Sequence, residues 1–498
     1  MASVTPASRR PTRSLAPESA PDLPASWDAS ARRGLVSDAR FAAPSRRSPG
    51  LPLIAEGERG GEVAVKVGPL VPGAQPVVSA QVHPLDRSHA LDSETTAALA
   101  AAADTAWQRR LPLVMWLVSA GADLAEGVAV LDGLGRVGRA LWRCSGAVPV
   151  VVVVDGPLIS GPSLMLGMAD FVVMTKRSLA YVSGPAAVAE LTGVSVRPAQ
   201  LGGATVHAAR SGVASVVAED AAHALEAVAE LLSFLPSHSD ELARPVWTGD
   251  PVSRESPGLR SLIPERAAGS YDVREVIAAV ADDGRVFELR AAWAPQLVTS
   301  LVRLGGHTIG VLANQPQAMA GTLDIAASQK GARFVGMCDS FNLPLLTLVD
   351  TSGFMPGRDL EWRGIIRHGA ELVFAYAEAT IPRVCLVLRK AYGGAYIVMD
   401  SKGMGNDICI AWPSAEIAVM GAEGAVSIVH RRADPAAKAD LVEQYQRDFL
   451  NPYVAAERGY VDMVIDPADT RRVVARCFGA LRSKRERLVR RKHGNSPL

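Results

Sequence analysis

Apolar residues in this chain fall into two recurring patterns: short unbroken runs closed by glycine or proline, and longer stretches spaced as a helix face. The stretch PRVCLVLRKAYGGAYIVM, Pro382 to Met399, joins the two. Val384 to Leu388 predicts a buried strand, Gly393-Gly394 a sharp break, and the apolar residues after it the start of a helix. Leu113 to Val118, Val150 to Val154 and Leu345 to Val349 read as further strands. Alternating Val63, Val65, Val67, Val77 and Val78, between Gly61 and His83, predict one or two hairpins. Helices are predicted from Asp92 or Ser93 to Arg110, about Leu124 to Cys144, Val273 to Ala281 and Gly321 to Phe341. Between the last two come a turn at Asp282-Asp283-Gly284, a strand through Phe287 and Leu289, and paired strands with Gly305-Gly306 as their hairpin turn. Strands alternating with helices call for a largely parallel sheet, whose ligands sit at loops beyond the carboxyl ends of the strands. The Ser352-Gly353 and Gly393-Gly394 loops hold that place.

The pattern repeats. Leu111-Pro112-Leu113 and Leu343-Pro344-Leu345 each open a strand 232 residues apart (343 − 111), and Pro149 and Pro382 each open a second one 233 apart (382 − 149). Ser160-Gly161-Pro162 therefore stands where Gly393-Gly394-Ala395 stands later. The chain reads as two related α/β halves, each with one strand-to-loop-to-helix site, which suits 498 residues better than one core. Residues 1–55, rich in Pro, Ser, Ala and Arg, read as an irregular arm; residues 56–250 and 251–498 form the halves, with the aperiodic stretch 240–270 at their boundary.

Composition narrows the function. Hydrophobic content of 48%, 21% charged residues and a net charge of +1 describe a globular chain with no overall field to attract nucleic acid. The most apolar run, Val148 to Val154, is too short to span a membrane. Five cysteines without a C-x-x-C pair point to a reduced, cytoplasmic chain with buried thiols. The basic run from Arg471 to His493 reads as a helix with a solvated or docking face. A Gly-Gly pair where strand meets helix lets backbone N–H groups face a ligand oxygen, and such donors can hold an oxyanion. His307 and His368 have no obvious nucleophile or carboxylate partner and read as structural, and nothing suggests a metal site.

Several long segments resemble one family: VLANQPQAMAGTLDIAASQKGARFVGMCDSFNLPLLTLVDTSGFMPG, then GIIRHGAELVFAYAEATIPRVCLVLRKAYGGAYIVMDSKGMGNDICIAWPSAEIAVMGAEGAVSIVHRR, NPYVAAERGYVDMVIDP and KHGNSPL. They look like the carboxyltransferase, or β, subunit of biotin-dependent acyl-CoA carboxylases of the propionyl- and acetyl-CoA type. The likeness covers nearly all of Ser270 to Leu498; GADLAEGV, CSGAVPVVVVVDGP and MADFVVM extend it more weakly into the first half. The resemblance implies two tandem crotonase-like domains in a homo- or mixed hexamer of two stacked trimers. It implies a CoA thioester as substrate, and biotin delivered by a separate α subunit that carries biotin carboxylase and the biotin carboxyl carrier. By the same resemblance Ser160 and Gly161 hold the acyl-CoA oxygen through their amides, beside Gly121 and Ala122, while Gly394 and Ala395, with Gly393, hold an oxygen of carboxybiotin. Ile397 falls where the family tunes acyl choice. Biotin freed of its carboxyl group takes the α-proton, so no protein base is required.

The chain departs from the family at Ser160-Gly161-Pro162, usually Gly-Gly-Ala; at Asp123, usually Arg; and at HPLDRSHA, which replaces a glycine-rich segment. Two alternatives therefore stand beside a catalytic β subunit: a non-catalytic or regulatory subunit in a mixed hexamer, and the carboxyltransferase subunit of a biotin-dependent decarboxylase.

Overall fold

The computed structural model describes residues 63–82, 90–264, 269–491, 493–495 and 497. The arm at 1–55 and the HPLDRSH stretch lie outside these residues. Among the described residues the strands form two large sheets and one small ladder. The first sheet holds β1 (Val63–Pro69), β2 (Pro76–Val82), β4 (Leu113–Ser119), β6 (Val150–Ile159), β7 (Phe171–Thr175) and β9 (Val216–Ala218) in that order, with β8 (Leu179–Tyr181) on the far end of β6. β3 (Ala90–Leu91) and β5 (Gly121–Ala122) form the ladder. The second sheet runs β10 (Val286–Leu289), β11 (Leu297–Leu304), β12 (His307–Asn314), β13 (Leu345–Thr351), β14 (Arg383–Tyr392), β15 (Ile408–Ala411), β17 (Met463–Val464), with β16 (Glu416–Ala418) beside β14. Hairpins open each sheet, and every later pairing is parallel.

The central strands are unbroken apolar runs because both their faces are covered. In β4 and β6, Val114, Trp116, Val151 and Val153 face a core shared with the second sheet, through Leu297, Leu312, Leu345 and Phe334. Their neighbours Leu113, Met115, Leu117, Val150 and Val152 pack with Leu99, Ala103, Val137 and Leu141 of α1 (Ser93–Arg109) and α2 (Val128–Cys144). In β13 and β14, Leu346, Leu348, Val384 and Leu386 turn the other way, onto helices Val273–Val280 and Thr470–Leu481.

The repeat extends to irregularities. The β4–β6 register slips between Leu117 and Ser119, and the β13–β14 register slips between Val349 and Thr351, 232 residues on (349 − 117, 351 − 119). Gly121 (φ 129) corresponds to Gly353 (φ 141), and Ser160 (φ 62) to Gly393 (φ 57), 233 residues on (393 − 160). Gly305 and Gly306 take the positive φ values of the expected hairpin turn. The described residues of 240–270 contain no strand and only the short 3-10 turn Pro257–Ser261.

Two expected elements differ. The helix placed from Gly321 starts at Ile325, because the Asp324 carboxylate accepts the Ala327 N–H at 2.8 Å and fixes the first turn. The basic run is helical only to Leu481. Beyond it, Lys484 reaches the Asp407 carboxylate and the Ile381 carbonyl, both at 3.0 Å, just ahead of β15 and β14, and the chain leaves the helix there.

Candidate functional site

In the first half, β6 carries the chain to Ser160, where φ 62 and ψ −142 turn it into the short 3-10 helix Gly161–Leu164. The turn is locked from both sides. The Ser160 amide donates to the Tyr181 carbonyl of β8 at 2.9 Å, and the Ser160 carbonyl accepts the Ser163 amide and hydroxyl at 3.0 and 2.7 Å. Pro162 has no N–H. Of the two amides expected from the sequence, that of Ser160 is therefore committed to the sheet, because β8 pairs alongside the last residues of β6. The Gly161 amide has no acceptor among the described residues.

Gly121 and Ala122 are brought to the same place. The buried Ser119 hydroxyl accepts the Gly121 N–H at 3.0 Å and donates to the Gly121 carbonyl at 2.8 Å, while β5 pairs with β3. A Cβ added to Gly121 would stand 3.8 Å from that of Ser160. Asp123 caps the following turn by accepting the Ala125 N–H at 2.8 Å. Leu124 (93% exposed), Val128, Leu131 and Leu164 leave an apolar lip around this loop.

The second half builds the same shape with glycine at the turn. β14 ends at Tyr392, Gly393 turns at φ 57, and the helix Gly393–Val398 begins there. Gly394 backs on Phe354, 3.6 Å from where a Cβ would lie, and Leu323 bridges Phe354 as β3 bridges β5. The amides of Gly394 and Ala395 lie in the first helical turn, where no intrahelical carbonyl reaches them, while that of Gly393 follows the Tyr392–Ala418 pair of β14 and β16 just as that of Ser160 follows the Ile159–Tyr181 pair of β6 and β8. Ala395 is buried; Ile397 is 53% exposed on the outer face of the helix, not in the core. Trp362, Ile366 and Val419 add an exposed apolar lip.

Two buried ion pairs that the sequence reading passed over support this loop. Arg389 donates to Asp350 at 3.1 Å, and the other Asp350 oxygen accepts the Lys390 N–H at 3.1 Å, tying β13 to β14 just below the turn. Arg383 donates to Asp400 at 2.6 Å behind the Gly393–Val398 helix. Burial pushes the Asp400 carboxyl up to about 7, against the pull of Arg383. An aspartate two residues beyond an apolar helix, in VMDSKG, was the available signal. His307 accepts from Arg482 at 2.8 Å, whereas His368, expected to lack a carboxylate partner, contacts Glu371 at 2.8 Å one turn further along the same helix. A cavity of about 680 Å³, lined by Trp247, His307, Leu343, Pro382 and Phe478, opens at the amino ends of β13 and β14, opposite these loops.

The carboxyl transferase domain family matches residues 80–496. The chain belongs to that family. This carboxyltransferase is 45% identical over 392 residues to the methylmalonyl-CoA carboxyltransferase 12S subunit of Propionibacterium freudenreichii subsp. shermanii, covering 78% of this chain and 75% of that protein. It is 44% identical over 402 residues to the propionyl-CoA carboxylase carboxyltransferase subunit of Haloferax mediterranei, with 79% and 78% covered. The crystal structure of a transcarboxylase 12S hexamer with hydrolysed methylmalonyl-CoA bound superimposes with a TM-score of 0.85 at 42% identity, over 88% of this chain and 85% of that one. The fold is thus the crotonase-like carboxyltransferase fold expected from the sequence.

Proposed function

We propose that this carboxyltransferase moves a carboxyl group from carboxybiotin, held on a partner carrier, to the α-carbon of an acyl-CoA. One observation carries the reading: in a chain of this family, two loops at equivalent points of an internal repeat each turn from a strand into a helix whose first-turn amides, Gly161 in one and Gly394 with Ala395 in the other, no intrahelical carbonyl reaches. The half at 56–250 takes the thioester and the half at 251–498 the biotin group.

Loss of the α-proton leaves an enolate, whose oxygen gains charge as the reaction proceeds. The Gly161 amide is aimed by the Ser160–Ser163 and Ser160–Tyr181 bonds and needs no rearrangement to receive it. Gly121 and Ala122 form the opposing wall, and the apolar lip of Leu124, Val128 and Leu131 keeps water from the enolate. On the other side, Gly394 leaves room for an oxygen to approach Ala395, and the donors there are neutral N–H groups suited to a ureido or carboxyl oxygen, so the residues fit a biotin group. Bound there, that group supplies the carboxyl carbon and afterwards a site for the α-proton. Ile397, exposed beside Ala395, borders the space for the acyl chain.

The exposed lips suit burial between protomers, and the transcarboxylase 12S structure is a hexamer. A hexamer of this chain, served by biotin carboxylase and carrier subunits in the cytoplasm, is the assembly the reading requires. Mixed with such partners, ATP and labelled bicarbonate, the chain fixes label into propionyl- or acetyl-CoA. Absence of incorporation at every acyl length would overturn the proposal.

A further inference from the structure

We infer that the Ser160 hydroxyl is a second donor to the thioester oxygen, working beside the Gly161 amide. The inference rests on the reading of this loop as the acyl-CoA side. Its first support is conformational. Ser160 holds φ 62 and ψ −142, a region where a non-glycine residue costs about 1–3 kcal/mol, while the equivalent position of the second half is Gly393. Strain of that kind persists where the surrounding structure over-determines it, and here the Tyr181 and Ser163 bonds do so.

The second support is a donor deficit. The biotin-side turn presents the amides of Gly394 and Ala395, whereas in the first turn Pro162 stands in place of Ala395 and has no N–H, keeping Gly161 alone. The third is placement. The Ser160 side chain is exposed, its hydroxyl has no partner among the described residues, and its Cβ faces the open side of Gly121, where an added Cβ would stand 3.8 Å from it. A hydroxyl carries one rotatable O–H, which can follow the oxygen from carbonyl to enolate. Ser160 keeps its proton throughout and forms no bond to substrate; it replaces by side chain the donor that the backbone gave up.

Ser160→Ala keeps the strained Cβ and removes the hydroxyl. Ser160→Gly removes both and restores the residue type of the second half. Isotope-edited infrared difference spectra of bound propionyl-CoA and acetyl-CoA, labelled with ¹³C at the carbonyl, read the hydrogen bond without turnover. The parent shows the thioester C=O stretch at lower frequency than either variant. With partner subunits, both variants lose kcat on the order of 10²-fold, with KM for acyl-CoA little changed. Melting temperature and oligomer size check folding, and the glycine variant melts highest. A Ser160→Gly enzyme as active as the parent, or a carbonyl band unmoved by Ser160→Ala, overturns the inference. A shifted band in a parent that never transfers carboxyl leaves the hydroxyl contact standing and removes the carboxylase reading. Binding of neither thioester removes both.

Discussion

Gly393 shows what one residue contributes to a turn that feeds a site. A Cβ there would stand 3.1 Å from the Val419 carbonyl and would sit on a backbone with φ 57. Gly393→Ala is therefore expected to cost about 1–2 kcal/mol, seen as a lower urea midpoint at unchanged slope, with transfer falling too because the Gly394 and Ala395 amides move. Behind the same helix, Arg383 and Asp400 are both buried, and Asp400 Oδ2 and Arg383 Nε have no partner among the described residues. The cost of burying both charges thus offsets much of what the pair returns in stability. Asp400→Ala leaves the guanidinium unpaired and is expected to cost about 3–5 kcal/mol, while Arg383→Met combined with Asp400→Leu costs much less; denaturant titration of the three variants checks the ordering.

At the scale of elements, helices here start where a side-chain oxygen catches an early amide: Asp92 caps Thr95, Asp220 caps His223, Asp324 caps Ala327 and Asp434 caps Ala437. Asp324 also accepts from Gln296 at 2.9 Å, joining its helix to the residue just ahead of β11. Asp324→Ala should lower stability by about 1–2 kcal/mol, with hydrogen exchange faster in the first turn of Ile325–Ser340 than elsewhere. These elements also show what a sequence discloses. Strands β4, β6, β13 and β14 were legible because burial on both faces writes an unbroken apolar run, and the repeat was legible because Pro149 and Pro382 keep its register. The start at Asp324 was missed because the apolar spacing continues upstream through Leu323. The commitment of the Ser160 amide was illegible: its acceptor, Tyr181, lies 21 residues on (181 − 160) and meets it only through β8 pairing. Asp350–Arg389 was hidden likewise, since charge inside a strand gives no sign of its partner on the next one.

Over the whole molecule, the stretch that connects the two sheets is held by charge. Asp250 accepts from Arg254 at 2.8 and 3.0 Å and from the Asp283 N–H at 3.0 Å. Arg471, fully buried on the helix Thr470–Leu481, lies 3.4 Å from the same carboxylate and donates to Asp282 at 2.7 Å. Asp282 in turn accepts the Gly305 and Gly306 amides of the β11–β12 hairpin at 2.9 and 2.7 Å. One network thus joins the connecting stretch, the last helix and the second sheet. The Arg254 bond, with help from the Asp283 amide and Arg471, holds the Asp250 carboxyl below its ordinary 3.8. A depressed carboxyl binds fewer protons folded than unfolded, so its contribution is complete above the unfolded value and drains away as pH falls through 3.8 and then through the folded value. Asp250→Asn should therefore cost about 2–3 kcal/mol at neutral pH, the worth of charge-assisted hydrogen bonds in a covered site. Melts of parent and variant from pH 8 downward should keep a constant gap to about pH 5 and converge below it. A gap that instead widens on acidification would mean that the carboxylate is a burden to the fold and that Arg471 alone holds the connection.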